Sequence, residues 1–233
     1  MKKVVLAVLM VFTGVTGAFA YTFNDPSSSA QTLYSGDRIG DITFELYGLD
    51  FSQDNGILNF DIFTNYPESG YGVAGWDTIP ADFALDIDQN GIYEFGIAFT
   101  DHDGLTSGGI YSDMNWNISG YDRPNNNFIW HKNEIVTIMD GTGSLSGNVN
   151  SGVDWISIGS DPDYKISFSL CSADILPSGF SGDIDFFYGG STCANDYIEG
   201  TVHVDNPVPE PATMILLGSG LLGLAGLRKK KKI

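Results

Sequence analysis

Apolar and polar residues alternate along most of this chain, and the alternation is the signal from which its structure can be read. Tyr93, Phe95, Ile97 and Phe99 fall on one face of an extended segment, and Tyr164, Ile166, Phe168 and Leu170 do the same in another. Further strands are predicted over Ile42 to Tyr47, Ile57 to Phe63, Phe83 to Ile87, Asn115 to Ser119, Ile135 to Met139, Trp155 to Ile158, Ile184 to Tyr188 and Tyr197 to Val204. Asn90-Gly91, Asp103-Gly104, Gly108-Gly109 and Asp140-Gly141 punctuate them, as turns that need positive φ require. Helical periodicity is scarce in this stretch. About ten strands over residues 21–204 predict an all-β domain, an antiparallel two-sheet sandwich of jelly-roll type, with a Greek-key barrel as the alternative architecture.

At both ends the pattern changes. Residues 1–20 combine a basic start at Lys2 and Lys3, an apolar run from Val4 to Phe12 and the small-residue ending Ala18-Phe19-Ala20, which is the form of a cleaved signal peptide. Residues 205–211 are a proline-rich linker, 212–227 an apolar run expected to form a single hydrophobic helix, and 228–233 a basic tail. The run of 16 residues is a little short of the roughly 20 that cross a bilayer, a gap that snorkelling lysines can narrow. Its basic end belongs on the cytoplasmic side by the positive-inside rule. That leaves the strand-rich domain outside, the side to which the N-terminal signal also directs it.

The order Pro209-Glu210-Pro211, apolar run from Ala212 to Leu227, basic cluster from Arg228 to Lys232 resembles the PEP-CTERM sorting signal. The resemblance implies export by the secretion machinery with removal of the signal by signal peptidase. It further implies transient anchoring in the inner membrane and processing near Pro209, Glu210 and Pro211 by an exosortase, leaving the product at the cell surface or outside the cell. Such tails also carry the label of an ice-binding protein C-terminal domain, but no Thr-x-Thr ladder is present here.

Charge sharpens this picture. Only Arg38, Arg123, Lys132 and Lys165 are basic between Tyr21 and Pro207, against 28 acids, a net of −24. Such a surface repels nucleic acid, and it repels anionic polymers unless cations bridge them. Cys171 and Cys193 are the only cysteines, and in an oxidising compartment a disulfide between them is expected, with free thiols or a metal pair as alternatives.

The sharpest local motif runs from Asp86 to Glu94. Asp86, Asp88 and Asn90 occupy positions 1, 3 and 5 of a calcium loop, and Gly91 permits the sharp turn. Position 12 is Ile97, so an EF-hand is excluded. A calcium-binding hairpin using Asp86, Asp88, Asn90, the Ile92 carbonyl and Glu94, or the nearby Asp101 and Asp103, is expected; the plainer alternative is an Asn-Gly turn whose aspartates face water.

Enzyme signatures such as HExxH, GxSxG and a P-loop are missing, and Asp101-His102-Asp103 reads most simply as an acidic turn. Trp76 and Trp130 lie near turn-like segments and are candidates for stacking on sugars, although a sandwich core uses the same residue type. The expected function is that of a non-enzymatic surface or matrix protein associated with extracellular polysaccharide. A calcium-dependent carbohydrate-binding module is the alternative, and a secreted glycoside hydrolase using pairs such as Asp183/Asp185 or Asp161/Asp163 a more distant one.

Overall fold

The computed structural model of the chain describes residues 19–24, 41–73, 76–119 and 134–205. Residues 1–18 of the expected signal segment 1–20, Trp130, the sorting motif Pro209-Glu210-Pro211, the apolar run 212–227 and the basic tail lie outside the described residues, whereas Phe19 and Ala20 fall in the first strand. Among the described residues no helix is long and apolar enough to cross a membrane.

Two antiparallel sheets make up the domain. The first has five strands in the order β1 (Phe19–Asn24), β2 (Leu46–Asp54), β3 (Ile57–Thr64), β13 (Tyr164–Cys171) and β12 (Asp154–Ser157). The second has six, in the order β11 (Ser144–Asn148), β8 (Gly109–Ser112), β7 (Phe95–Ile97), β6 (Phe83–Asp86), β14 (Gly182–Tyr188) and β15 (Ile198–Val204). Two small ribbons flank them, β4 (Tyr71–Val73) with β5 (Trp76–Thr78), and β9 (Trp116–Ile118) with β10 (Ile135–Ile138). The only described α-helix is the single turn α1 (Ser172–Ile175).

The period-2 pattern does what it predicts. In β3 every second residue is buried, and Leu58, Phe60 and Ile62 face the other sheet. The two inner faces meet around Phe83, whose ring lies 5.0 Å from Phe60, 5.1 Å from Phe168 and 5.9 Å from Phe186. Aromatic burial on this scale dominates the stability of a two-layer core. A second, smaller cluster of Ala98, Leu105, Tyr111 and Ile138 covers the outer face of the six-stranded sheet under the β9–β10 ribbon. Gly96 makes room for it, since a Cβ there would lie 2.8 Å from both Ile138 and Trp116.

Three expectations are corrected. The strand expected from Ile42 opens instead as a 3-10 turn over Ile42–Phe44, because Asp41 caps it through Thr43 N (3.0 Å) and Thr43 Oγ1 (2.7 Å); β2 then begins at Leu46. The segment from Tyr93 to Phe99 forms ladder pairs only over Phe95–Ile97.

The third correction concerns the disulfide: Cys171 and Cys193 are both free. Cys171 pairs with Ile57 at one end of β3 and lines a cavity of about 370 Å³, whereas Cys193 interacts electrostatically with Tyr66, just past the other end of the same strand. The length of β3 between them is about 23 Å at the usual rise per residue. A disulfide needs Cα atoms within about 7 Å.

These registers also define the two ends of the sandwich. One carries the β2–β3 turn at Asn55-Gly56, the loop from Ile87 to Glu94, the segment 172–181 and the last residues of β15. The opposite end carries the segment 65–71, the turn between β12 and β13, and the loop 189–196. The β4–β5 ribbon belongs to this second end, tied there by the Pro80–Ser191 bridge and by Thr192 N donating to Ile79 O.

Candidate functional site

The loop between β6 and β7 is built on a buried aspartate. Asp86 ends β6 with 1% exposure, and its carboxylate accepts hydrogen bonds from Gly91 N (2.7 Å) and Asn90 N (3.3 Å). Asp88 Oδ1 also accepts from Asn90 N (3.2 Å). These bonds wind the chain into a tight turn that places Gln89 at φ 56° and Gly91 at φ 83°. The glycine takes that conformation at no steric cost. From the returning strand, Glu94 Oε2 accepts from Ile87 N (2.9 Å) and so reaches back across the loop mouth.

The result is a convergence of three carboxylates: one oxygen each from Asp86, Asp88 and Glu94 lie within 4.8 Å of one another. Partial burial, with the charges of Asp86 and Asp88 adding to it, pushes the Glu94 carboxyl up from its ordinary value, against the opposing bond from Ile87 N–H. Hard oxygen donors held this close suit a calcium ion, which takes six to eight of them. Asn90, expected as a fourth ligand, turns its Oδ1 onto Ile92 N (2.7 Å), and the Ile92 side chain is exposed. The sequence motif therefore delivers its three acids to one point and spends its asparagine on the turn.

The loop is braced from the neighbouring strand. Gln89 Nε2 donates to Asp185 Oδ1 (3.0 Å), which also accepts from Thr201 Oγ1 (2.6 Å). Asp101 and Asp103 do not join the cluster: Asp101 accepts from Ser107 N (2.8 Å), and Asp103 lies 3.5 Å from His102 Nδ1.

His102 belongs to a constellation that local sequence did not indicate. Its Nε2 lies 3.0 and 3.1 Å from the two oxygens of Asp82, whose side chain is fully buried. The same carboxylate accepts from Ile138 N (2.8 Å) and Phe99 N (3.3 Å), tying β6, the segment after β7 and β10 together. Burial opposes a charged imidazole, but the hydrogen bond and charge of Asp82 outweigh it and raise the His102 pKa. Burial pushes Asp82 itself up, against the donors that surround it. The pair closes inside the structure, and this enclosure marks it as a structural fastener.

Of the tryptophan candidates, Trp76 stands apart from the acidic loop. Trp76 lies in β5 on the ribbon at the opposite end of the sandwich, paired with Val73, and Trp130 is outside the described residues. Trp116 is half-buried and donates from Nε1 to Tyr93 O (3.2 Å), and Trp155 packs against the main core. Among the carboxylate pairs weighed for glycoside hydrolysis, Asp183 is joined to His203 Nδ1 (2.6 Å), and Asp161 to the Tyr47 hydroxyl (3.2 Å).

The C-terminal exit is itself fixed. Gln53, 5% exposed on β2, accepts from Asp205 N through Oε1 (2.9 Å) and donates from Nε2 to Asp205 O (2.5 Å). Its side-chain amide thus acts as a peptide group and holds the last described residue from both sides. Two residues further on, residues 207–231 match a family model, the PEP-CTERM protein-sorting motif. No curated protein and no solved structure matches the chain. The match falls on the segment from Pro207 through the PEP triplet, the apolar run and the basic cluster, so this chain carries a PEP-CTERM protein-sorting motif and is an exported protein sorted to the cell surface by an exosortase.

Proposed function

We propose that the sorted domain, an antiparallel sandwich of jelly-roll type, is a non-enzymatic surface or matrix protein that associates with extracellular polysaccharide through calcium held in the β6–β7 loop. The observation that carries this reading is the convergence of Asp86, Asp88 and Glu94 within 4.8 Å. A second consideration is charge. At a net of −24 between Tyr21 and Pro207, the domain repels an acidic polysaccharide unless a divalent cation lies between them. A calcium ion bound by three carboxylates keeps coordination positions that sugar hydroxyls and uronate oxygens can fill.

Calorimetric titration of the protein with calcium, then with polygalacturonate in calcium or in chelator, tests the reading. Calcium binding and calcium-dependent polymer binding are expected, both lost in the Asp86→Ala, Asp88→Ala variant. Polymer binding that survives the chelator, or an unaltered calcium isotherm in the variant, refutes it.

A further inference from the structure

The register of the outermost strand places the first and last described residues, Phe19 and Asp205, at the same end of the sandwich. Phe19, the first residue of β1, stands opposite Gln53 on β2, and the Gln53 side chain holds the backbone of Asp205. Asp205, from which the sequence continues into the sorting tail, is thus held at that end of the sandwich. This is the end that carries the β2–β3 turn, the Ile87 to Glu94 loop and the segment 172–181.

Reach then sets orientation. From Asp205 to Ala212, where the apolar run begins, is seven residues, at most about 25 Å of extended chain. All six residues from Asn206 to Pro211 are conformationally restricted by sequence, Pro207, Pro209 and Pro211 by their rings and Asn206, Val208 and Glu210 as the residues before them. A domain of about 185 residues has a radius of gyration of about 16 Å and hence a breadth of about 40 Å. A tether shorter than the body it holds, fixed at its root by a buried clamp, does not let that body roll over.

We propose that the sandwich stands end-on at the membrane. For as long as the tail is uncut, the end bearing the β2–β3 turn, the acidic loop and the segment 172–181 faces the lipid surface entered by this chain's own apolar run, 212–227. The end bearing the segment 65–71, the β12–β13 turn and the β4–β5 ribbon faces outward. Cutting the tail near Pro209-Glu210-Pro211 frees the membrane-facing end, and with it the acidic loop. This orientation rests on strand register, on tether length and on the expectation that the run 212–227 enters the membrane, and it holds whether or not the loop binds calcium.

Thiol accessibility tests it in the full chain. In a Cys171→Ser, Cys193→Ser background, Ser178→Cys reports the membrane-facing end and Ser160→Cys the outward end; both serines are exposed. Asp54→Cys, at the exposed end of β2, repeats the first measurement at an independent position. The chain is inserted into phosphatidylethanolamine–phosphatidylglycerol vesicles and labelled with a polymer-bearing maleimide. The Ser178→Cys and Asp54→Cys chains are expected to label several-fold more slowly than Ser160→Cys. A flexible Gly-Ser spacer of about 20 residues after Asn206, adding about 25 Å of root-mean-square span, is expected to abolish the difference. Equal labelling at the two ends in the native-length chain, or a difference that the spacer leaves unchanged, overturns the proposal.

Discussion

Replacing His102 by leucine tests how the buried pair holds the outer ribbon to the sandwich. Leucine fills a similar volume but leaves the Asp82 carboxylate, with a fully buried side chain, without its only cationic partner among the groups it touches. Removing one member of a buried pair costs about 3–5 kcal/mol, most of it the penalty of an uncompensated charge. For a domain of this size each kcal/mol moves Tm by about 2–4 °C, so a fall of about 6–20 °C is expected. Urea unfolding of the parent, His102→Leu, Asp82→Asn and the double variant supplies the cycle, in which the double change costs less than the sum of the single ones. The pH dependence gives a second reading. Because the folded pKa of His102 is raised above 6.5, its contribution is complete below pH 6.5 and is lost as pH rises through the folded value. Asp82, also raised, adds a loss in the same direction beginning above 3.8. The parent should therefore lose stability as pH rises above 6.5, and the double variant should lose that slope. A cost below about 1 kcal/mol for His102→Leu, or an unchanged slope in the double variant, would refute the reasoning.

Other consequences can be checked with the same material. Glu94→Gln should weaken calcium binding yet stabilise the calcium-free chain as pH rises above 4.5, because an acid whose folded pKa is raised disfavours folding once it ionises; urea unfolding in chelator at two pH values checks the sign. Gly200→Ala places a Cβ 2.7 Å from the Phe23 ring and 3.0 Å from Phe186, so overpacking should cost about 1–3 kcal/mol, relieved when Phe23→Ala is added. Both thiols should titrate with a disulfide-exchange reagent in denaturant without prior reduction, and the Cys171→Ser, Cys193→Ser variant should keep its midpoint, since no bridge is lost.

Where side chains alternate without interruption, the sequence is a sufficient guide. β3, β13 and β14 fall close to their expected positions because one face of each packs on the Phe83 cluster. Only Leu46 and Tyr47 of β2 fall within the strand expected from Ile42 to Tyr47, because its phase slips: a bulge between Leu46 and Gly48 shifts the register, and the polar Gln53 takes a buried position. Glycine is required at the bulge, since a Cβ on Gly48 would collide with the Phe23 carbonyl. The acidic loop was legible because all its residues lie within nine positions of one another, so local turn chemistry brings them together. The Asp82–His102 pair was not, because its members stand 20 positions apart on opposite sides of a hairpin, and the acidic neighbours of His102, Asp101 and Asp103, point to a turn instead of to Asp82.

The cysteines and the chain ends show the same limit from the other side. A separation of 21 residues invites a bridge, but those residues include the whole of β14, and a strand carries the chain from one end of the sandwich to the other. Counting such traverses is what strand register adds to composition. An odd number of traverses between two points puts them at opposite ends, as for Cys171 and Cys193, and no bond can form between them. The same register puts β1 and the exit of β15 at Gln53, where no local pattern joins the two terminal segments. Phe19 and Asp205 are 186 positions apart in sequence, and only the fold brings both to Gln53, which is the observation from which the proposed orientation starts.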